Sequence, residues 1–402
     1  MIRFFKYAAT TCLIILLVFS MLSCSNEGGN PADETQNAEE SKDLETETES
    51  VNKDNIVYLD GSRVREGIVD YMRSMSAVKW SPSKSFDLSG DHGTWGVDLT
   101  FKKGATYMGL PYTRAFSDLA TFSQYIENGV YTGPCGSYDT MPGNNCSSAC
   151  DLAWRQYLIS TTEATYTYVP GFGNKYIVRV GKYEYPSNNR DTYAIISANT
   201  QDVIFEAYAS CTPADAIVKW SNSKSSGHAR MISGTPVVMR NSQGVINGGR
   251  SYLTVIEQTN KLTSKGGVGT TWCVDKVYTF SELIADGYIP VTHDVLADGK
   301  VEKPYVKMTD APTSKTVVSL LGGTVESNYR ISEVELIVLD SGGRCVKSYT
   351  VEVENGTSKV NLRKYSFNLD IPSLPEGEYT LKVRAHTPML GYAEVLVLPF
   401  EK

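Results

Sequence analysis

A cysteine stands where a polar loop gives way to a helix-like run of residues. Cys146 follows the stretch Gly-Asn-Asn at 143–145, and an apolar-patterned run begins at Asp151. A side chain on the first turn of a helix meets unpaired backbone N–H groups and the positive end of the helix dipole. Both stabilise a thiolate and lower the pKa of a cysteine. The position therefore predicts a nucleophile, and the alternative is a buried cysteine that only packs in the core.

Residues with the remaining chemistry of amide hydrolysis occur elsewhere in the chain. The reaction needs a thiolate, a base that protonates the leaving amine, a group that orients the base, and donors for the oxyanion. His228, at the start of a strand-like run, is the candidate base. Glu257 and Gln258 are the candidates for orienting it, and only one can face it because neighbouring strand residues point to opposite faces. Tyr112 and the backbone N–H of Cys146 are candidate oxyanion donors.

Other reactive residue types have simpler interpretations. Cys150 lies one helical turn after Cys146, but a zinc site built on these thiols and His228 would lack a fourth ligand, so Cys150 is expected to pack in the core. Asp215 is expected to anchor a turn by accepting backbone N–H bonds. The chain carries no metal, nucleotide or flavin motif, and no cofactor is predicted. The irregular cysteine spacing argues against a disulfide framework, although export would permit a disulfide among Cys135, Cys211 and Cys273.

The first 52 residues predict export and attachment to a membrane. Residues 1–24 have a basic start, an apolar stretch too short to span a bilayer comfortably, and a small residue before Cys24. They resemble a bacterial lipoprotein signal in which Cys24 is lipidated, and an ordinary secretory signal is the alternative. Residues 25–52 are acidic and almost without bulky apolar side chains, which predicts a disordered tether. This tether holds most of the net charge of −7, and the near-neutral remainder argues against a nucleic-acid partner.

The rest of the chain predicts an α+β domain at 53–297 and an all-β domain at 304–402. In the first domain we expect helices at 63–75, 116–125 and 146–160, and a closing helix and edge strand within 278–292. Alternation predicts its strands at 176–180, 193–197, 216–220, 229–233, 237–240 and 252–257. The second domain predicts an immunoglobulin-like or fibronectin-like β-sandwich. Its strands are expected at 316–321, 331–339, 346–353, 365–371, 379–385 and 392–398.

Four short motifs resemble the NlpC/P60 group of papain-like cell-wall hydrolases and the related CHAP amidases. Residues 109–112 (Gly-Leu-Pro-Tyr) resemble the Gly-x-Pro-Tyr before the nucleophile, and residues 145–148 (Asn-Cys-Ser-Ser) stand in place of Asp-Cys-Ser-Gly. Residues 213–215 (Pro-Ala-Asp) stand in place of Pro-Gly-Asp, and residues 227–232 (Gly-His-Ala-Arg-Met-Ile) resemble the histidine strand. The similarity covers about residues 56–292 as separate islands.

The chain departs from the family pattern at three places near the nucleophile. Asn145 replaces the usual acid, Ser148 replaces the glycine, and Tyr112 lies 34 residues before Cys146, which is farther than usual. The segment between them, which contains Cys135, is therefore expected to be an inserted loop at the rim of the cleft. These differences bear on substrate specificity more than on the nucleophile.

The resemblance implies a papain-like catalytic domain that cleaves amide bonds through a thioester on Cys146, with His228 and, by comparison with CHAP amidases, Glu257. The leading hypothesis is a lipid-anchored peptidase or amidase at the cell surface that acts on peptidoglycan peptides. One alternative is a thiol amidase or acyltransferase with a non-wall substrate. Another is a surface binding protein or adhesin with a degenerate hydrolase domain, in which the C-terminal sandwich binds a surface ligand.

Overall fold

The computed structural model describes residues 56–91, 96–158, 176–185, 190–297, 303–353, 357–388 and 390–402. The predicted signal peptide with Cys24, and the predicted tether, lie outside these residues. None of the helices in the described ranges is long and apolar enough to cross a membrane.

The described residues form mixed α and β structure in which strands predominate. The helices are α1 (Val64–Ala77), α2 (Leu119–Ser123), α3 (Cys146–Arg155), α4 (Thr192–Ser197), α5 (Gln201–Ala209), α6 (Phe280–Ala285) and α7 (Ser366–Leu369). The strands are β1 (Ile56–Tyr58), β2 (Lys79–Pro82), β3 (Phe86–Asp87), β4 (Gly90–Asp91), β5 (Gly96–Val97), β6 (Thr100–Phe101), β7 (Tyr107–Met108), β8 (Ile126–Glu127), β9 (Val130–Tyr131), β10 (Ile177–Arg179), β11 (Ala216–Ser221), β12 (Ser226–Ile232), β13 (Tyr252–Lys265), β14 (Val268–Thr279), β15 (Ile289–His293), β16 (Tyr305–Thr309), β17 (Thr324–Ser327), β18 (Glu333–Asp340), β19 (Cys345–Glu352), β20 (Lys359–Asn361), β21 (Glu378–Thr387) and β22 (Gly391–Glu401).

A ten-stranded sheet carries the residues of the candidate site. Its strand order is β10-β15-β11-β12-β13-β14-β7-β2-β9-β8. Its neighbours pair antiparallel except β14 with β7 and β2 with β9, which are parallel. Helix α3 packs against β12 and β13, and α1 packs against α3. Helix α1 buries Val64, Ile68, Met72 and Met75, whose spacing of three and four residues lines one helical face.

The C-terminal residues build a separate hydrophobic core. It lies among two four-stranded antiparallel sheets with the orders β1-β16-β17-β20 and β19-β18-β21-β22. Alternate residues of β18, including Val334, Leu336 and Val338, are buried in this core, as expected for a strand with one covered face. Strand β1 belongs here although it precedes α1, because Ile56 pairs with Lys307 of β16. The first described strand of the chain therefore belongs to the C-terminal sheets, and the strands of the ten-stranded sheet follow it in sequence.

Several predicted strands are wrong. Residues 193–197 form helix α4, because Asp191 caps its start by accepting bonds from the N–H groups of Tyr193 and Ala194 at 3.0 and 3.3 Å. Residues 365–371 form the end of a 3₁₀ turn and helix α7, and residues 316–321 form turns. Residues 237–240 make only isolated bridges. Strand β15 lies between β10 and β11, so it is not the predicted edge strand.

The segment between Tyr112 and Cys146 is a structured part of the domain, contrary to the expected rim loop. It contains α2, β8 and β9, and β9 joins the sheet beside β2. Phe122 and Tyr131 pack against Trp80 with ring centroids 5.6 and 5.5 Å apart from it. This segment therefore extends the sheet and contributes aromatic side chains to the core.

Candidate active site

Helix α3 begins at Cys146 because Asn145, just before it, and Ser148, in the first turn, form a capping box. The Asn145 side chain accepts bonds from the N–H groups of Ser147 and Ser148 at 3.2 and 3.0 Å, and the Ser148 hydroxyl accepts from the N–H of Asn145 at 2.7 Å. Asn caps a helix about as well as Asp, so two of the departures from the family motif preserve the helix start. As the first helical residue, Cys146 has a backbone N–H without an intrahelical acceptor.

The thiol of Cys146 is buried and paired with His228. The charge of His228 and its hydrogen-bonding interaction with the sulfur both favour the thiolate, and the backbone N–H of Ala229 acts in the same direction. Burial opposes ionisation of the thiol, but the charge and hydrogen bond of His228 outweigh it, so the pKa of Cys146 lies below its usual value. Burial alone would lower the pKa of His228, but the Cys146 thiolate, followed by Glu257, raises it to about 9. The lowered pKa of Cys146 and the raised pKa of His228 both favour a thiolate–imidazolium pair.

The structure distinguishes the two candidates for the orienting residue. Nε2 of His228 lies 2.7 Å from Oε2 of Glu257. Gln258 points away, and its amide donates to the carbonyl of Leu110 at 2.8 Å and to the hydroxyl of Thr271 at 3.3 Å. Glu257 therefore occupies Nε2, which leaves Nδ1 as the ring nitrogen for the thiol.

Glu257 lies at the centre of a wider charged cluster that sequence reasoning missed. It accepts bonds from Arg230 Nε at 2.8 Å, Lys276 Nζ at 3.3 Å and Tyr278 Oη at 2.6 Å. Burial alone would raise the pKa of Glu257, but His228 and then Arg230 hold it well below its usual range. A signal for Arg230 was present, because it follows His228 by two residues in β12 and so shares its face.

The guanidinium of Arg230 is held between two aromatic rings. Its central carbon lies 3.8 Å from the ring centroid of Tyr278 and 4.1 Å from that of Tyr288. Tyr288 also packs edge-on against His228, with ring centroids 6.4 Å apart. Cation–π contacts of this kind fix the orientation of a buried guanidinium. Arg230, which is itself buried, thus supports the carboxylate of Glu257.

Tyr112 is brought beside Cys146 by backbone pairing that spans the segment 113–145. The N–H of Asn144 donates to the carbonyl of Pro111 at 3.2 Å, and the two segments run side by side. This approach requires Gly143, because a Cβ there would lie 2.4 Å from the Pro111 oxygen. The hydroxyl of Tyr112 lies 4.0 Å from the sulfur of Cys146. Burial, and then the Cys146 thiolate, raise the pKa of Tyr112, so its hydroxyl stays protonated and able to donate.

The residues just before Tyr112 are anchored to β13 and β14. The carbonyl of Leu110 accepts bonds from Gln258 Nε2 and from Trp272 Nε1, both at 2.8 Å. Gly109 has φ +83°, and a Cβ on it would lie 2.3 Å from the Trp272 ring. Gln258 therefore positions the loop that carries Tyr112.

The remaining polar candidates have structural roles. Asp215 accepts from the N–H of Thr212 at 2.8 Å and pairs with Arg65 at 2.8 Å, which confirms its role as a turn anchor. Cys150 is fully buried, and burial followed by the nearby Cys146 raises its pKa well above the usual value. It therefore packs in the core, as predicted. No disulfide forms among the cysteines that the structure describes, which include Cys135, Cys211 and Cys273.

Together these groups place a thiol, an imidazole, a carboxylate and a phenol hydroxyl in one continuous arrangement. Such a set can form a covalent acyl thioester and then hydrolyse it. Comparison with known proteins adds no assignment, because no protein-family model matches the chain and no curated protein matches it.

Proposed function

We propose that this chain is an exported cysteine hydrolase that cleaves amide bonds of cell-wall peptides through Cys146, His228 and Glu257. The observation that carries the proposal is the 2.7 Å contact between the imidazole of His228 and Glu257, since the charge of the same histidine acts on the buried sulfur of Cys146 and favours its thiolate. A buried cysteine that served only packing would not need an ionised carboxylate and imidazole aligned with it. Its thiol would also have a raised pKa, as Cys150 has.

In the acylation step the thiolate of Cys146 attacks the carbonyl carbon of the scissile amide. The negative charge moves to the carbonyl oxygen, where the backbone N–H of Cys146 and the hydroxyl of Tyr112 are suited to donate. His228 gives its proton to the departing nitrogen as the carbon–nitrogen bond breaks. The product is an amine and an acyl thioester on the sulfur.

In the deacylation step His228 changes role. The neutral imidazole takes a proton from water, the hydroxide attacks the thioester, and the thiolate leaves. Glu257 holds Nε2 throughout, so the ring keeps one orientation and the imidazolium is stabilised when it forms. The carboxylate stays ionised because His228, Arg230 and Lys276 surround it.

Two further parts of the proposal concern fold and location. We assign the ten-stranded region to the papain-like NlpC/P60 type and the C-terminal core to an immunoglobulin-like sandwich that presents no catalytic group of its own. We also propose a lipoprotein anchored through Cys24 at the cell surface. Helix α3 leading into antiparallel strands β11 to β13, which carry His228 and Glu257, supports the first assignment.

The test is mass spectrometry of soluble products released from purified sacculi. The full chain is incubated with sacculi beside the variants Cys146→Ala and Cys150→Ala. Peptide fragments made by the wild type and by Cys150→Ala, and not by Cys146→Ala, support the proposal, and their masses identify the bond. If the wild type releases no more fragments than Cys146→Ala, the wall-hydrolase proposal is wrong.

A further inference from the structure

One ammonium group beside the candidate site forms no ion pair within the part of the chain that the structure describes. Lys219 of β11 is the direct antiparallel partner of His228 in β12, so both side chains leave the sheet on the same face. Lys219 is half-buried. Among the residues that the structure describes, its Nζ makes neither an ion pair nor a hydrogen bond, and it lies over an aromatic ring. A partly buried ammonium group without an ion-pair partner is stabilised when an external anion binds to it.

That aromatic ring connects Lys219 to the catalytic groups. Nζ of Lys219 lies 4.8 Å from the ring centroid of Tyr288. The same ring carries Arg230 at 4.1 Å and packs edge-on against His228 at 6.4 Å. Burial lowers the pKa of Lys219, while the charges of Asp286 and Glu257 act against this without contacting the amine. The ammonium therefore belongs to the same cluster as the imidazole.

Among the groups in direct contact with Glu257, cations outnumber carboxylates, and Asp286 and Glu282 act on the cluster only from farther away. Glu257 is shared by His228, Arg230 and Lys276, so a single carboxylate serves three cations. The thiolate of Cys146 adds one further negative charge. Lys219 is a fourth cation without a bonded partner, and Nη1 of Arg230 is a buried donor without an acceptor in the described structure. An anionic group on the substrate would complete this arrangement.

We propose that Lys219 is a specificity residue that binds a carboxylate of the substrate close to the scissile amide. The preferred substrates are then acidic peptides with a free carboxylate near the bond that is cut. This inference rests on the proposed function, since it places the carboxylate relative to an amide that Cys146 attacks. Lys219 binds and orients, and takes no part in the bond-breaking steps.

The test compares two alkylating reagents that differ in charge and are otherwise closely similar. The thiolate of Cys146 forms a sulfur–carbon bond with iodoacetate or iodoacetamide while the carbon–iodine bond breaks and iodide leaves. Rates are measured at neutral pH and low salt by peptide mapping of Cys146 in the full chain. Lys219→Met is compared with Lys219→Arg, which keeps the charge. Lys224→Met is the matched control, because it removes an exposed lysine from the turn of the same hairpin.

We expect Lys219→Met to lower the ratio of iodoacetate to iodoacetamide rates about threefold or more, as loss of one nearby screened charge requires. The ratio should be retained in Lys219→Arg and Lys224→Met, and the iodoacetamide rate, which reports an intact site, should change little. A reactive Cys146 whose ratio is the same in Lys219→Met and the wild type overturns the carboxylate site alone. A Cys146 that reacts with neither reagent overturns the proposed function as well.

Discussion

Replacing Glu257 by Gln should weaken the thiolate–imidazolium pair by a calculable amount. The substitution keeps the size of the side chain and one hydrogen-bond acceptor but removes the charge that lies 2.7 Å from Nε2 of His228. Two unit charges about 4 Å apart interact by about 4 kcal/mol at an effective dielectric constant of about 20. The amide of Gln still accepts a hydrogen bond, and a bond to a charged partner contributes about 1 to 1.5 kcal/mol more than a neutral one, so the expected loss is below this limit, at about 1.4 kcal/mol or about one pKa unit.

The sign of the shift follows from the charge on His228. Its pKa is raised to about 9, so the imidazolium exists below that pH and is lost above it. Removal of a neighbouring anion makes the imidazolium less favourable, and the transition should therefore move down to about pH 8. The pKa of Cys146 should change less. The weaker imidazolium stabilises the thiolate less, but loss of the Glu257 carboxylate also removes a repulsion from the thiolate.

The assay is the pH dependence of Cys146 alkylation by iodoacetamide. A thiolate paired with imidazolium and a free thiolate differ in nucleophilicity, so the profile has an upper inflection where His228 loses its proton. We expect this inflection near pH 9 in the wild type and near pH 8 in Glu257→Gln. Glu206→Gln is the control, because it removes an exposed carboxylate from an ion pair with Arg240. An upper inflection that stays near pH 9 in a folded Glu257→Gln variant would refute the claim that Glu257 raises the pKa of His228.

Substitutions at three further positions test the residues that surround and position Cys146. Tyr112→Phe should lower kcat for the released peptide product about 100- to 1,000-fold while KM changes little, and an equal kcat would exclude the hydroxyl as an oxyanion donor. Asn145→Ala should cost about 1 kcal/mol in urea unfolding and Asn145→Asp much less, and equal losses would contradict the capping role. Gly109→Ala should cost about 2 kcal/mol or more, since the new Cβ clashes with Trp272 at a positive φ, and an unchanged urea midpoint would disprove that packing.

Local sequence was informative where the signal lay in contiguous residues. The start of helix α3 at Cys146 could be predicted, because the cap and the first turn are neighbours in the chain. Helix α1 was predicted from the spacing of its apolar residues. The same reasoning failed at 193–197, where a cap at Asp191 outweighed an alternating pattern. Short segments of this kind are ambiguous, because a few apolar residues fit either period.

The choice between Glu257 and Gln258 was beyond local reasoning. Alternation showed that they face opposite sides, but the register of β13 against β14 shifts between Val255 and Glu257. A bulge of this kind changes which side a residue faces, and it arises from pairing with a strand distant in sequence. The contact between Glu257 and His228 thus became visible only in the folded sheet.

The sequence by itself determined the chemical types and the local geometry of the candidate nucleophile: a cysteine on a capped helix start, followed by a histidine and a carboxylate on strands. Tertiary structure alone decided how they are charged and supported. Arg230 stacks against Tyr288 and Lys219 lies over the same ring, although these residues come from different strands and a loop. The physical reason is that pKa values and ion pairing depend on burial and on charges within a few ångströms, and those distances are set by the packing of strands far apart in the chain.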